Sequence, residues 1–204
     1  MRFLYFILVA AIAAASVPAA AQDVTLQAPA SAPMSSTVEV TWTGPDDDGD
    51  YVGIGDETGA YIRNESYGYT GNSDGTIALR LPDRPGDFSI AYVNRQGETL
   101  AFVPIAVEGA NATLEAPGSV PAGAEFTVAW DGPDNQGDRI EVGDADGERI
   151  RYSSYAYTAQ YPDGLPLTAP QEPGAYSVVY VTGSSVVAHV PLTVTGVSAS
   201  LDAP

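Results

Sequence analysis

The chain has no cysteine and a single histidine among its 204 residues. Without cysteine it can form no disulfide framework, no thiolate metal site and no lipid-modified cysteine after a signal segment. Secreted eukaryotic modules of this size often carry a disulfide, so the absence favours a bacterial envelope protein. With His189 as its one histidine, the chain can build neither a histidine-based catalytic triad in each half nor a zinc site.

Lysine is also absent, and the eight basic residues are all arginine. They face 26 acidic residues, which gives a net charge of −18 at pH 7. Binding to nucleic acid or to anionic membrane surfaces depends on cationic patches. The charge balance therefore excludes nucleic acid as a partner.

Only one long apolar run is present, from Phe3 to Ala15, and Arg2 precedes it. It is too short for a transmembrane helix, which needs about 20 residues. The small residues Ala19-Ala20-Ala21 follow as a cleavage pattern. We therefore predict a signal peptide over residues 1–21, and a mature chain from Gln22 that is exported to the periplasm or the extracellular space and does not insert into a membrane.

The sequence repeats itself at an offset of 88 residues. The matched segments include Leu26-x-Ala28-Pro29 with Leu114-x-Ala116-Pro117, Trp42-x-Gly44-Pro45-Asp46 with Trp130-x-Gly132-Pro133-Asp134, and Tyr67-x-Tyr69-Thr70 with Tyr155-x-Tyr157-Thr158. Near the end of each copy the offset falls to 87, which places a one-residue deletion in the second copy. We predict two modules, 22–109 and 110–196, with residues 197–204 opening a third copy at Leu201-x-Ala203-Pro204.

Within each copy, apolar residues alternate with polar ones, as in Val38, Val40 and Trp42. Turn residues recur about every ten positions, which is the spacing of a β-sandwich. The predicted fold class is all-β, with two tandem sandwiches of the immunoglobulin or fibronectin-III type and about seven strands each. The same alternation predicts that Trp42 and Trp130 anchor the two cores.

The repeat unit resembles the C-terminal immunoglobulin-like repeats of some exported alphaproteobacterial proteins that carry a von Willebrand factor A domain. The resemblance rests on Leu-x-Ala-Pro, Val-x-Trp-x-Gly-Pro, Gly-Asp, Tyr-x-Tyr-Thr and Pro-Gly-x-Tyr-x-Val-x-Tyr-Val, and it covers both copies. It implies an accessory module of the envelope without catalytic residues. This chain has no von Willebrand A domain, so the resemblance implies no adhesion-dependent metal site.

One further position distinguishes the copies. Tyr176 stands where immunoglobulin-type sandwiches keep a tyrosine whose hydroxyl closes a corner of the fold. The first copy has Phe88 there, which cannot donate that hydrogen bond. We therefore expect the first corner to be closed by another interaction.

An acidic turn follows the tryptophan of each copy. In the first copy Asp46, Asp48 and Asp50 alternate as the carboxylates of calcium loops do, and the second copy keeps Asp134 and Asp138. The helix–loop–helix calcium motif fails here, since Tyr51 replaces its glycine and no bidentate glutamate follows. The alternatives are a calcium site, the one cofactor considered, and a solvated hairpin loop.

A pair of tyrosines recurs in both copies, as Tyr67 and Tyr69 and as Tyr155 and Tyr157. Alternation places both rings of a pair on one face of the strand. If that face is outward, the rings can stack on sugars or anchor a protein partner. Small neighbours such as Gly68 and Ala156 favour the other interpretation, in which the tyrosines belong wholly or in part to the core.

These features predict a protein without catalytic residues. Acidic residues confined to the turns of a duplicated sandwich are a poor scaffold for an active site. The predicted function is a spacer, adhesion or protein-interaction element at the cell envelope, with a protein or glycan partner. The alternative is a carbohydrate-binding module, with or without calcium, which an exposed strip of coplanar aromatic rings beside the acidic turns would favour.

Overall fold

The computed structural model describes residues 23–196. The predicted signal peptide and the predicted start of a third copy, 197–204, lie outside these residues. None of the helices in the described range is long and apolar enough to cross a membrane. Two single-turn 3-10 helices occur, at Thr70–Asn72 and Thr158–Gln160.

Sixteen strands make up the rest of the regular structure. In the first half they are β1 Thr25–Gln27, β2 Ser31–Pro33, β3 Thr37–Thr43, β4 Tyr51–Gly55, β5 Tyr67–Tyr69, β6 Thr76–Arg80, β7 Gly86–Val93 and β8 Thr99–Glu108. In the second half they are β9 Thr113–Glu115, β10 Ser119–Pro121, β11 Glu125–Asp131, β12 Arg139–Gly143, β13 Tyr155–Tyr157, β14 Leu165–Thr168, β15 Gly174–Thr182 and β16 Ser185–Thr195.

The two halves have the same sheet topology. In the first, a three-stranded sheet in the order β1-β3-β6 packs on a five-stranded sheet in the order β2-β8-β7-β4-β5. In the second, the orders are β9-β11-β14 and β10-β16-β15-β12-β13. All pairs are antiparallel except β2 with β8 and β10 with β16. The chain is therefore all-β, built from sandwiches of the immunoglobulin and fibronectin-III type, as predicted.

Each sandwich has eight strands, where the sequence predicts about seven. The additional strands are β2 and β10, which are too short to show an alternating pattern. The segment between Tyr61 and Tyr69 is extended only in part. Tyr61 forms an isolated bridge with Gly55, and the strand begins at Tyr67.

The apolar faces of the sheets meet in one core per sandwich. Strand β3 alternates between exposed and buried positions along its whole length, and Trp42 is buried. Trp130 is only partly buried against the second core, so the prediction of two equivalent anchors is confirmed for Trp42 alone. Each indole packs on a fully buried tyrosine, Tyr92 or Tyr180, with ring centroids 5.7 and 5.9 Å apart.

The second corner is closed by a tyrosine, as the sequence indicates. The Tyr176 hydroxyl donates to the Glu172 carbonyl at 3.2 Å. In the first copy the guanidinium of Arg84 lies over the Phe88 ring, 5.2 Å from its centroid. Arg84 also pairs with Glu65 at 2.9 Å. A cation–π contact between Arg84 and Phe88 thus takes the place of the missing hydroxyl hydrogen bond. Arg84 stands at the position that Glu172 has in the second copy.

The last hairpin is the predicted point of divergence between the copies. The loop between β7 and β8 spans residues 94–98, whereas β15 and β16 are joined by Gly183 and Ser184 alone. This short hairpin reaches the first sandwich. The Ser184 amide and hydroxyl both donate to the Asp83 carboxylate, and the Ser185 hydroxyl donates to the Asp83 carbonyl at 2.8 Å.

Two further contacts complete the junction between the sandwiches. The side-chain amide of Asn135 donates to the Met34 carbonyl at 3.4 Å, and Val187 packs against both apolar cores. Gly183 has a φ of +60°, and a Cβ there would lie 2.6 Å from the Asp83 Cβ. Only glycine fits at this point of the junction.

Candidate functional site

The acidic turn of the first copy is organised by a carboxylate that points into the protein. Asp50 is 2% exposed and accepts three hydrogen bonds. The donors are the Tyr92 hydroxyl at 3.0 Å, the Asp47 amide at 3.3 Å and the Arg95 amide at 3.1 Å. The Asp46 amide in turn donates to the Tyr92 hydroxyl at 3.0 Å. Asp50 therefore holds the turn in place and accepts the hydroxyl proton of Tyr92, which the core would otherwise leave without an acceptor.

The second copy repeats this arrangement with one contact fewer. The Tyr180 hydroxyl and the Asn135 amide donate to the same oxygen of Asp138, at 3.0 and 2.9 Å. The other oxygen, Asp138 Oδ1, is buried without a hydrogen-bond partner in the structure. Burial raises the pKa of Tyr92 to about 12 and also raises the pKa of Tyr180. Both tyrosines are therefore protonated donors at neutral pH.

This geometry gives no support to the calcium site that was the alternative to a solvated hairpin loop. Of the five aspartates proposed as ligands, Asp50 and Asp138 are buried and hold backbone amides and tyrosine hydroxyls. The Asp48 side chain is fully exposed and lies 3.8 Å from Arg95. Across residues 23–196, no group of three or more His, Asp or Glu side chains is placed to hold a metal ion.

The tyrosine pairs lie on the surface. Tyr67 and Tyr69 are 50% and 48% exposed, and Tyr155 and Tyr157 are 55% and 41% exposed. The outward alternative therefore applies, and the interpretation that these rings lie in the core does not hold, since each is about half exposed. The reason lies on the opposite face of β5, where a Cβ on Gly68 would come within 2.8 Å of Ile77. The inner position has room only for a small residue, so the large rings must point outward.

In the first copy the exposed pair belongs to a cluster of four rings. Tyr51, on β4, lies at its centre, with ring centroids 5.2 Å from Tyr61, 5.6 Å from Tyr67 and 6.4 Å from Tyr69. Tyr61 lies over Gly53, where a Cβ would be 2.9 Å from its ring. We call these four residues the tyrosine face.

The rings of the tyrosine face stand nearly perpendicular to one another. The interplanar angles of the contacting pairs lie between 68° and 88°. This edge-to-face packing is favourable and leaves a ridged surface rather than a flat platform. A depression of about 470 Å³ lies among the rings and is bordered by Arg63 and Asn64.

Three hydroxyls of the tyrosine face, those of Tyr51, Tyr61 and Tyr69, have a raised pKa and are neutral at physiological pH. Burial, together with the neighbouring phenols, raises the pKa of Tyr51 and Tyr61. A hydrogen bond with the Tyr67 side chain raises the pKa of Tyr69. The face therefore offers aromatic edges and uncharged hydroxyl groups.

A second depression adjoins the tyrosine face. It has a volume of about 440 Å³ and lies between Tyr69, the carboxylates of Asp46, Asp47 and Asp48, and Arg95. Tyr69 is the residue that the two depressions share. Aromatic rings and solvent-accessible carboxylates thus form one continuous surface at this end of the first sandwich.

The second copy carries different chemistry on the same face. Tyr155 and Tyr157 are retained and contact each other at 5.7 Å. At the positions of Tyr51 and Tyr61 stand Arg139 and Arg149, whose Nε atoms pair with the buried carboxylate of Glu141 at 2.9 and 2.7 Å. An ion-pair network therefore replaces the inner rings, and the tyrosine face belongs to the first copy alone.

Sequence reasoning found two rings of the tyrosine face and missed Tyr51 and Tyr61. The repeat itself carried a sign of them. Where the copies otherwise match, both positions change from tyrosine to arginine at the offset of 88. Paired departures from an internal repeat mark positions at which the copies have diverged together.

The residue considered for catalysis lies away from this surface. His189 is exposed on β16, and its ring covers Gly147, where a Cβ would lie 2.9 Å from it. Its counterpart Phe102 covers Gly59 in the same way. His189 therefore shields a turn.

No family model matches the sequence, and no curated protein matches it. Among solved structures, the chain is similar to a biofilm-associated protein BSP domain, with 15% identity, a TM-score of 0.33 and coverage of 87% of this chain. The chain spans 30% of that protein. It is also similar to the Escherichia coli adhesin FdeC, with 19% identity, a TM-score of 0.31 and coverage of 93% and 68% of the two chains.

A third similar structure contains the fibronectin(III)-like modules of Clostridium thermocellum CbhA. The identity is 15%, the TM-score is 0.29, and the match covers 85% of this chain and 95% of that one. These likenesses concern the sandwich class only. Assignment of a function depends on the side chains of this protein.

Proposed function

We propose that this protein is a non-catalytic, exported binding element that holds a protein partner against the tyrosine face of its first sandwich. The observation that carries the proposal is a cluster of four packed tyrosines on one surface, in which Tyr67 and Tyr69 are exposed and Tyr51 and Tyr61 are partly buried. Contiguous aromatic surface on a soluble protein marks an interaction site. Tyrosine is enriched among the residues that dominate binding energy at protein interfaces.

The geometry of the rings favours a protein over a sugar. A flat sugar ring stacks on an exposed, coplanar strip of aromatic rings, and the rings here are nearly perpendicular. A ridged surface suits the side chains of a peptide segment. The carbohydrate-binding alternative keeps the exposure of the rings in its favour but lacks the coplanar strip.

The charge around the face specifies the partner further. The carboxylates of Asp46, Asp47 and Asp48 adjoin Tyr69, and the whole chain carries a net charge of −18. A lysine or arginine of the partner can reach these carboxylates while a neighbouring apolar side chain lies among the rings. The partner is therefore a basic, partly apolar protein segment. An exported location and an accessory role agree with the expected signal peptide and the resemblance described above.

A random peptide library displayed on phage tests the proposal directly. The immobilised chain is expected to select peptides with a basic residue beside an apolar one. Binding of the selected peptides should be lost in a Tyr67→Ser, Tyr69→Ser variant. The matched control is Tyr155→Ser with Tyr157→Ser, which removes the equivalent rings of the second copy and should bind as the parent does.

Two results would count against this function. Peptides whose binding survives the loss of Tyr67 and Tyr69 would show that the tyrosine face is not the site. Tyrosine-dependent binding to neutral oligosaccharides on a glycan array, without peptide selection, would establish the carbohydrate-binding alternative instead.

A further inference from the structure

The two sandwiches carry the same groove at the same place, and within the described residues a hairpin of a neighbouring sandwich borders only the first. The first groove is formed by residues 64–66 and 80–83 and has a volume of about 570 Å³. Gly183 and Ser184 of the second sandwich line one side of it, where Ser184 donates to Asp83. The second groove is formed in part by residues 152–154 and 168–171, the equivalent segments at the offset of 88, and has a volume of about 510 Å³.

The second groove is more apolar than the first. Thr168 and Ala169 stand where the first groove has Arg80 and Leu81, and Tyr176 and Ile150 also line it. The uncharged Gln171 occupies the position of Asp83. Its amide oxygen and the adjoining backbone carbonyls remain acceptors, so the polar requirement of a docked hairpin can still be met.

Tyr152 is the most unusual residue at this groove. It is 95% exposed and has a φ of +66°, a left-handed conformation that bulky residues rarely adopt. The first groove has Asn64 at this position, with a φ of +71°, and asparagine tolerates the conformation well. A strained, exposed aromatic residue in place of a compatible one indicates a functional constraint.

We infer that the second groove is the docking site for a further sandwich module, which inserts a short Gly-Ser hairpin as the second sandwich does into the first groove. Tyr152 covers the inserted hairpin, and Gln171 accepts its hydrogen bonds. The inference concerns assembly of modules and is independent of the partner proposed for the tyrosine face. The motif Leu201-x-Ala203-Pro204, which opens each sandwich, follows the second one in the sequence.

The first sandwich of a second copy does not have the chemistry that the groove requires. Its loop of residues 94–98 carries Arg95 and Gln96 in place of Gly183 and Ser184. Asp47 replaces Asn135 there, and a carboxylate cannot donate a hydrogen bond to a backbone carbonyl as Asn135 does. The groove therefore favours a module of the second type.

A three-module protein tests the inference. Residues 110–196 are appended after residue 196, and cysteines are introduced by Thr168→Cys in the original second sandwich and by Ser184→Cys in the appended copy, so that Gln171 and the Ser184 backbone amide stay in place. The chain has no native cysteine, so a short bis-maleimide reagent reports on this pair alone. The reference is the pair Arg80→Cys with Ser184→Cys at the existing junction, where both residues line the first groove. We expect the two pairs to crosslink at rates within about tenfold of each other, since both are intramolecular.

Two variants of the appended protein sharpen the result. Gly183→Val in the appended copy should abolish crosslinking, because no side chain fits at that point of the junction. Tyr152→Asn should slow it while leaving the second sandwich folded, since asparagine suits the backbone there. Crosslinking no faster than in the Gly183→Val control would overturn the inference. Self-association of the unextended chain that Tyr152→Asn abolishes would also overturn it, by assigning the groove to a second copy.

Discussion

Replacement of the buried aspartates by asparagine should affect the two sandwiches unequally. Asp50 uses both carboxylate oxygens, since Oδ2 accepts from Tyr92 and Asp47 and Oδ1 accepts from Arg95. In Asp50→Asn one of these oxygens becomes an NH2 group that faces a donor. Hydrogen bonds to a charged acceptor contribute about 1.5–3 kcal/mol each, so we expect a loss of about 2–4 kcal/mol in the free energy of unfolding.

The equivalent substitution in the second copy, Asp138→Asn, should cost less. Asp138 accepts both of its hydrogen bonds on Oδ2, and its Oδ1 has no partner. The introduced asparagine can therefore keep its carbonyl oxygen towards the two donors and place its NH2 group at the unpaired position. Only the charge is lost, and we expect a loss of about 1 kcal/mol, the ordinary value for a neutral hydrogen bond.

The two tryptophans allow each sandwich to be measured separately by urea titration. A Trp130→Phe background leaves the fluorescence of Trp42 as the reporter for Asp50→Asn. A Trp42→Phe background leaves Trp130 as the reporter for Asp138→Asn. Equal losses in the two sandwiches, or a greater loss for Asp138→Asn, would refute the assignment of the hydrogen bonds to individual oxygens.

Three further outcomes follow from the described contacts. Trp42→Ala should destabilise the first sandwich by about 3–5 kcal/mol in urea, and Trp130→Ala should cost the second less because that indole is only partly buried. Because the pKa of Tyr92 is raised from 10.0 to about 12, its contribution to stability should be complete below pH 10 and lost towards pH 12, and Tyr92→Phe should flatten this part of the profile in alkaline unfolding curves. The hydrogen bond from Ser184 lowers the pKa of Asp83 below 3.8, so the junction should hold above that pH and weaken as the pH falls through the lower value, which the Ser184 amide resonance would report by NMR. An Asp83→Asn variant should show no such titration.

The fold was predictable because its determinants are periodic and recur. The offset of 88 residues separates the copies, and the alternation of Val38, Val40 and Trp42 identifies the buried face of β3. The strands β2 and β10 were missed because three residues are too few to show a period and because each pairs in parallel with the end of a distant strand. Nothing in their local sequence encodes that partner.

The surface was predictable only in part. Tyr67 and Tyr69 were recognised as a pair, but a strand of three residues does not reveal which of its faces is buried. That depends on Ile77, which belongs to the opposite sheet and leaves room only for Gly68. The burial of Asp50 also depends on a residue distant in the sequence, because the Tyr92 hydroxyl lies beside it. From the sequence alone Asp50 looks like a solvated turn residue.

The late position of the junction hairpin in the sequence also sets the order in which the two sandwiches can fold and dock. Ser184 and Val187 belong to the hairpin of β15 and β16. Asp83 and the residues of the first core that Val187 contacts come much earlier in the chain. Domains that emerge in sequence fold as units from the amino terminus. The first sandwich can therefore fold while the second is still being synthesised or translocated, with the apolar surface that Val187 later covers still open. That surface is covered only when the hairpin of β15 and β16 forms. A chain interrupted before β16 therefore leaves it accessible to chaperones and proteases.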